Sequence, residues 1–164
     1  MTTASRRRAE QRHVLVILCD QLRPDFLPVY GCPAVPCPNI ESLASNGTVF
    51  DRAISCCPVC APARASMMTG LYPSQHGVWT NDVPFNEGLD YLAEKMIALG
   101  YQTACFTNTP ALSLPGFFED FHEAKCLVKD FSEPPHTREV TDLGIDFVRR
   151  NKDRPHLLYL HYID

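Results

Sequence analysis

Apolar and polar positions alternate between two periods along this chain. His13-Val-Leu-Val-Ile-Leu18 is a continuous, largely β-branched run, the pattern of a strand buried on both faces of a parallel sheet. Pro38 to Gly47 predicts a short helix with Gly47 as its stop, with Thr48-Val49-Phe50 as a strand behind it. Cys57-Pro58-Val59-Cys60-Ala61-Pro62-Ala63-Arg64-Ala65-Ser66-Met67-Met68-Thr69-Gly70 predicts a tight loop running into a short helix. Pro62 suits its first helical position and Gly70 the position just past its last turn. Gly88 to Leu99 is amphipathic, with Leu89, Leu92, Met96 and Leu99 at helical spacing and Gly100 as its end. Tyr101 to Thr107 then predicts a strand. Thr137 to Arg150 predicts a helix with Val140, Leu143, Phe147 and Val148 inward and two arginines at its end, where cations suit the helix dipole. His156 to Ile163 is a buried strand. Strands separated by helices predict right-handed parallel crossovers and an α/β fold.

Composition narrows the function more than the fold. The chain has 164 residues, 45% hydrophobic and 21% charged, as expected of one soluble globular domain. Its net charge of -4 argues against a general nucleic-acid binder. No apolar run is long enough to cross a bilayer, which argues against a membrane partner. Met1 to Arg12 is polar and carries Arg6, Arg7 and Arg8. The apolar run behind it is too short for a signal peptide and no small-residue cleavage site follows. This stretch therefore reads as a disordered basic tail. Eight cysteines would suit an oxidising compartment, but without a signal peptide the expectation is reduced thiols in a cytoplasmic protein.

Candidate chemistry concentrates at two places. In open α/β sheets ligands gather outside the carboxyl ends of the strands, and Asp20-Gln21 follows the first strand directly. The second place is Cys60, at a helix mouth, where unpaired N–H groups favour anions. Arg64 lies one turn on, and helical side chains lean toward the N-terminus, so its guanidinium fork can address the same anion. Cys57 and Cys60 also form C-x-x-C, the spacing of a redox pair or half a zinc site. No second C-x-x-C or paired-histidine motif accompanies it.

Cys60-x-Pro-x-Arg64, followed by Ala-Ser-x-x-Thr-Gly-x-Tyr-Pro-x-x-His-Gly-Val through Val78, resembles the signature of the type I sulfatases, a branch of the alkaline phosphatase superfamily. The resemblance implies an alkaline-phosphatase-like α/β/α sandwich with a mostly parallel central sheet. It also implies that Cys60 is oxidised to formylglycine by a formylglycine-generating or sulfatase-maturing enzyme, with the hydrated aldehyde as nucleophile. Replacing sulfur by oxygen makes chemical sense beside a hard cation. Asp20, Gln21 and the modified Cys60 would hold that divalent cation, calcium first, with manganese or magnesium as alternatives. Arg64 would support nucleophile and anion, and a small-molecule or carbohydrate sulfate ester would be the substrate.

Part of the pattern points to close relatives, the phosphonate monoester hydrolases. Asp20-Gln21 matches their version of the metal motif, and Asn81 falls where their asparagine contacts the anionic group of the substrate. Most sulfatases carry Gly-Lys-Trp-His where this chain has Thr107-Asn108-Thr109-Pro110. Neutral donors, Asn108 and Thr109 foremost, would then have to serve the substrate. The resemblance runs from His13 onward and ends at His161-Tyr-Ile-Asp164, before the family's later metal pair and lysine. The expectation is the N-terminal portion of a larger, truncated sulfatase catalytic domain, inactive alone. A phosphonate monoester or phosphodiester hydrolase, or a non-catalytic remnant, are the alternatives.

Overall fold

A computed structural model describes residues 12–86, 88–110, 117–130, 132–134 and 136–163. The expected basic tail lies outside these residues except for Arg12. Two units are described separately: residues 1–20 with 56–164, and residues 21–55.

The larger unit is built on a parallel sheet of four strands among the described residues. These are β1 (Val14–Cys19), β2 (Gln102–Thr107), β3 (Glu123–Cys126) and β4 (His156–Tyr162), in the order β1-β4-β2-β3. The last strand in sequence lies in the middle, flanked on both sides, and every residue from His156 to His161 is buried. Among the described residues strand β1 is an edge instead. Its residues alternate between half-buried and exposed, with Leu15 and Ile17 open to solvent, so the expected burial on both faces does not hold. A β-branched run reports two-sided apolarity, whereas position in the sheet is set by distant pairing. The other edge, β3, was not foreseen. It is short and carries Glu123 and Lys125, residues that blunt an edge against further pairing but erase the strand pattern.

Helices cover both faces, giving an α/β/α arrangement. On one face Leu157, Tyr159 and Cys105 pack with Ala61, Ala65 and Met68 of α2 (Cys60–Thr69), with Ala93 of α4 (Leu92–Ala98), and with Val78, Phe85 and Phe117. On the other, Ala104, Phe106, Leu158 and Leu160 meet Val140 and Phe147 of α5 (Thr137–Arg150). Gly144 allows this close approach: a Cβ there would lie 3.0 Å from both methyl carbons of Leu160. Val148, expected inward, is exposed. Helix α4 is shorter than its periodicity suggested, and Leu99 past its end is likewise exposed.

Helix α2 begins two residues before Pro62, which was expected at its first position. Cys60 is its first residue and Pro62 its third, a position still within the first turn, where a missing N–H costs nothing. Gly70 ends it in the left-handed region at φ 72°, and its N–H donates to the Ser66 carbonyl at 2.8 Å. The short helix α3 (Pro73–His76) follows.

In the smaller unit, two 3-10 turns (Pro24–Phe26 and Pro28–Tyr30) precede α1 (Pro38–Ser45). Pro38 starts α1 and Asn46 ends it. Thr48 to Phe50 forms no strand; the Tyr30 hydroxyl donates to the Phe50 carbonyl at 3.1 Å instead.

Candidate active site

Because the strands run parallel, their carboxyl ends share one end of the sheet. Asp20 follows β1 there, its N–H donating to the Tyr162 carbonyl at 2.8 Å. His161 lies near the end of β4, between Leu18 of β1 and Thr107 of β2 in register. Helix α2 supplies the rest. Arg64 Nη2 reaches Asp20 Oδ1 at 3.7 Å, and both side chains are nearly enclosed. His161 Nε2 stands 3.3 Å from the other oxygen, Asp20 Oδ2, with the ring 1% exposed. Each oxygen of one carboxylate thus faces a nitrogen-bearing side chain from a different element. Arg64 Nε and both ring nitrogens of His161 are buried and make no aligned hydrogen bond among the described residues. The Tyr159 hydroxyl is in the same condition, and burial raises its pKa, partly offset by nearby Arg64.

Cys60 is held from the other side. Val59, which precedes the helix, offers no side-chain cap. The cap comes from Asn81, whose Oδ1 accepts the Ala61 N–H at 3.0 Å and faces Cys60 Sγ at 3.2 Å. One amide oxygen therefore satisfies a donor that every helix start leaves unpaired and fixes the thiol. Cys60 is half-buried. Cys105, by contrast, is sealed in the core, where burial pushes its thiol well above the usual range and leaves it inert. No disulfide joins any of the cysteines among the described residues.

The loop after β2 is committed to structure. Asn108 is 1% exposed; its Nδ2 donates to the Ile163 carbonyl at 3.0 Å and to Thr137 Oγ1 at 3.2 Å, while Oδ1 accepts the Ile163 N–H at 2.8 Å. Both amide hydrogens are used in joining the ends of β2 and β4 to the start of α5. Thr109 is fully buried, with its N–H donating to Thr107 Oγ1 at 3.1 Å. His76 is also structural. It is buried between Ser66 Oγ at 2.9 Å and the Val78 N–H at 3.1 Å. Since Val78 donates to Nδ1, the ring proton sits on Nε2.

Gln21, the other expected metal ligand, opens the smaller unit. It is exposed and turns the chain at φ 57°, a left-handed conformation that non-glycine residues seldom adopt. Among the described residues no three His, Cys, Asp or Glu side chains gather as a metal-binding group. In the larger unit the Asp20 carboxylate is an oxygen donor of the kind a hard divalent cation takes, and the Gln21 amide oxygen is a donor of the same type. A Cys60 thiolate does not fit; an oxygen in its place would.

His161 and Tyr159 were absent from the sequence-based site. The available signal was their polarity in the inward column of a strand otherwise suited to complete burial.

The Sulfatase family model matches residues 12–164. An ulvan-active sulfatase of Formosa agariphila is 39% identical over 92 residues, 56% of this chain and 18% of that protein. The structure of BT4656 in complex with its substrate D-glucosamine-2-N,6-O-disulfate superposes with TM-score 0.84 at 22% identity, over 93% of this chain and 34% of that one. The phosphonate monoester hydrolase of Agrobacterium radiobacter gives TM-score 0.70 at 24% identity, over 92% and 41%. These two structures share the fold. The chain spans about a fifth of the length of the curated relatives it matches.

Proposed function

This chain belongs to the sulfatase family, and on that premise we propose that it hydrolyses sulfuric esters through Cys60 converted to formylglycine, beside a divalent cation held at Asp20 and Gln21. The observation that carries the proposal is the placing of the Cys60 thiol at the first turn of α2, fixed by Asn81, on the same helix that sends Arg64 to Asp20.

Each residue has a role that follows from its surroundings. Cys60 stands where helix N–H groups and the dipole favour negative charge, which suits an anionic ester and the charge that develops as it is cleaved. Arg64 contributes a cationic fork suited to paired oxyanions. Asp20 is a hard oxygen donor held against Arg64 and His161. Asn81 positions the Cys60 side chain through its oxygen, leaving its amide nitrogen as the donor toward an ester. Asn108 supports the loop behind these groups, its amide hydrogens being already committed, and Thr109 is buried beside it. When present, formylglycine supplies an oxygen nucleophile and the cation acts as a Lewis acid that orients it. A carbohydrate sulfate is the proposed substrate class, a reading supported by the ulvan-active sulfatase named above and by BT4656, whose substrate is D-glucosamine-2-N,6-O-disulfate.

A second reading has its own support. The loop Thr107-Asn108-Thr109 places no lysine or arginine at the end of β2, and Asp20-Gln21 with Asn81 matches the phosphonate monoester hydrolase pattern. Aryl sulfate and aryl phosphonate monoester turnover should be compared with protein co-produced with a formylglycine-generating enzyme and supplied with calcium. The proposal expects faster sulfate release, abolished by Cys60→Ala. Faster phosphonate turnover favours the second reading, and activity that survives Cys60→Ala contradicts both.

A further inference from the structure

His161 is a buried polar group at the site, and the proposed chemistry leaves it without a task. It is 1% exposed on the central strand β4, with Leu18 and Thr107 as its register partners and the Tyr159 ring edge-on at 6.2 Å. A neutral imidazole has one N–H and one bare nitrogen, and burying both without partners costs free energy that an apolar residue would avoid. Its Nε2 is nevertheless 3.3 Å from Asp20 Oδ2. The guanidinium of Arg64 approaches the opposite oxygen from α2. Each oxygen of the carboxylate therefore faces a nitrogen from a different element, Arg64 of α2 and His161 of β4.

We propose that His161 is a positioning residue for Asp20: its Nε2–H, directed at Oδ2, fixes the carboxylate torsion so that Asp20 presents a set geometry to the divalent cation. This deepens the proposed function and rests on Asp20 being a cation ligand. Carboxylates that ligate metals depend on such outer hydrogen bonds, and losing one typically lowers metal affinity about 10- to 100-fold. His161 touches neither ester nor nucleophile in this role, and it stays buried throughout.

The test uses the full chain with calcium ion alone as the probe, by titration calorimetry, together with ring nitrogen correlation spectra of His161. His161→Phe keeps the ring volume without the donor and is expected to weaken calcium binding at least tenfold. His161→Gln returns an N–H at the same reach and is expected to recover most of the affinity. The spectra are expected to show the proton on Nε2, with a resonance that moves in Asp20→Asn. Equal calcium affinity in wild type and His161→Phe overturns the positioning role while leaving Asp20 as a ligand. A proton on Nδ1, or an Nε2 resonance indifferent to Asp20→Asn, also overturns it. If the wild-type chain takes up no calcium but the Nε2–H signal still responds to Asp20→Asn, the contact stands and the cation reading fails.

Discussion

Asn81 Oδ1 lies 3.2 Å from Cys60 Sγ and accepts the Ala61 N–H at 3.0 Å. A residue in a loop after the helix therefore caps the start of that helix and holds the side chain on which the chemistry depends. Stability and reactivity are joined in one amide oxygen.

Replacing Asn81 separates the two. Asn81→Ala removes the cap and should cost about 1 kcal/mol in chemical denaturation, the usual value for a lost N-cap acceptor. Asn81→Asp keeps the acceptor and should retain most of that stability, while placing a negative charge where an anionic ester must approach. Turnover should fall in both variants. An Asn81→Ala protein as stable as wild type would show that the cap is not energetically used.

Arg64 and Asp20 are nearly enclosed, and their separation of 3.7 Å is longer than a bidentate pair would show. Arg64→Ala leaves the carboxylate without its cation and should destabilise the fold by about 2 kcal/mol, below the full cost of breaking a tight buried pair. Arg64→Lys should recover part of that stability but little of the kcat/KM, since a point charge lacks the fork. Denaturation curves and kinetics on the same preparations check both halves.

Tyr159 offers the opposite case. Its hydroxyl is buried without a hydrogen-bond partner among the described residues, so Tyr159→Phe removes an unsatisfied group and keeps the packing against Phe117. The variant should be as stable as wild type or up to about 1 kcal/mol more stable by urea denaturation. A marked loss would mean that the hydroxyl has a partner in solution.

His76 gives a pH dependence. Burial holds its pKa below the ordinary histidine value, so the folded protein binds this proton less readily than the unfolded chain. The stability linked to neutral His76 is therefore complete above about pH 6.5 and is lost as pH falls through the lower folded value. Unfolding free energies measured from neutral to mildly acidic pH should decline, and His76→Gln should flatten part of that decline. An unchanged slope in the variant would assign the dependence elsewhere.

How much of this was legible beforehand follows from how local each signal is. Helix α5 matches its expected span, Thr137 to Arg150, because helical periodicity over that length is self-contained. Cys60 at a helix start, Gly70 at its end and Asp20 at a strand end were likewise written in neighbouring residues. Other features depend on distant pairing. Strand β1 lies at the edge because β4, from the far end of the chain, takes the central place. Asn81 was singled out by resemblance, but its capping role depends on a contact spanning 20 residues. His161 was read simply as part of a strand, since nothing adjacent to it in sequence reveals Asp20 beside it. Asn108 was read as a substrate donor because it stands where most sulfatases carry a lysine and a histidine; its closing of the β2 and β4 ends needs Ile163 in place.

The central claim is that Cys60 becomes the nucleophile-bearing residue, and the mass of the peptide containing it tests this most directly. The chain should be produced with and without a formylglycine-generating enzyme, digested, and analysed by mass spectrometry with an aldehyde-reactive probe. The account predicts an aldehyde at Cys60 only when the enzyme is present, none at Cys57, and no probe labelling in Cys60→Ala. An unmodified Cys60 thiol in the presence of an enzyme that converts a control sulfatase peptide would contradict it.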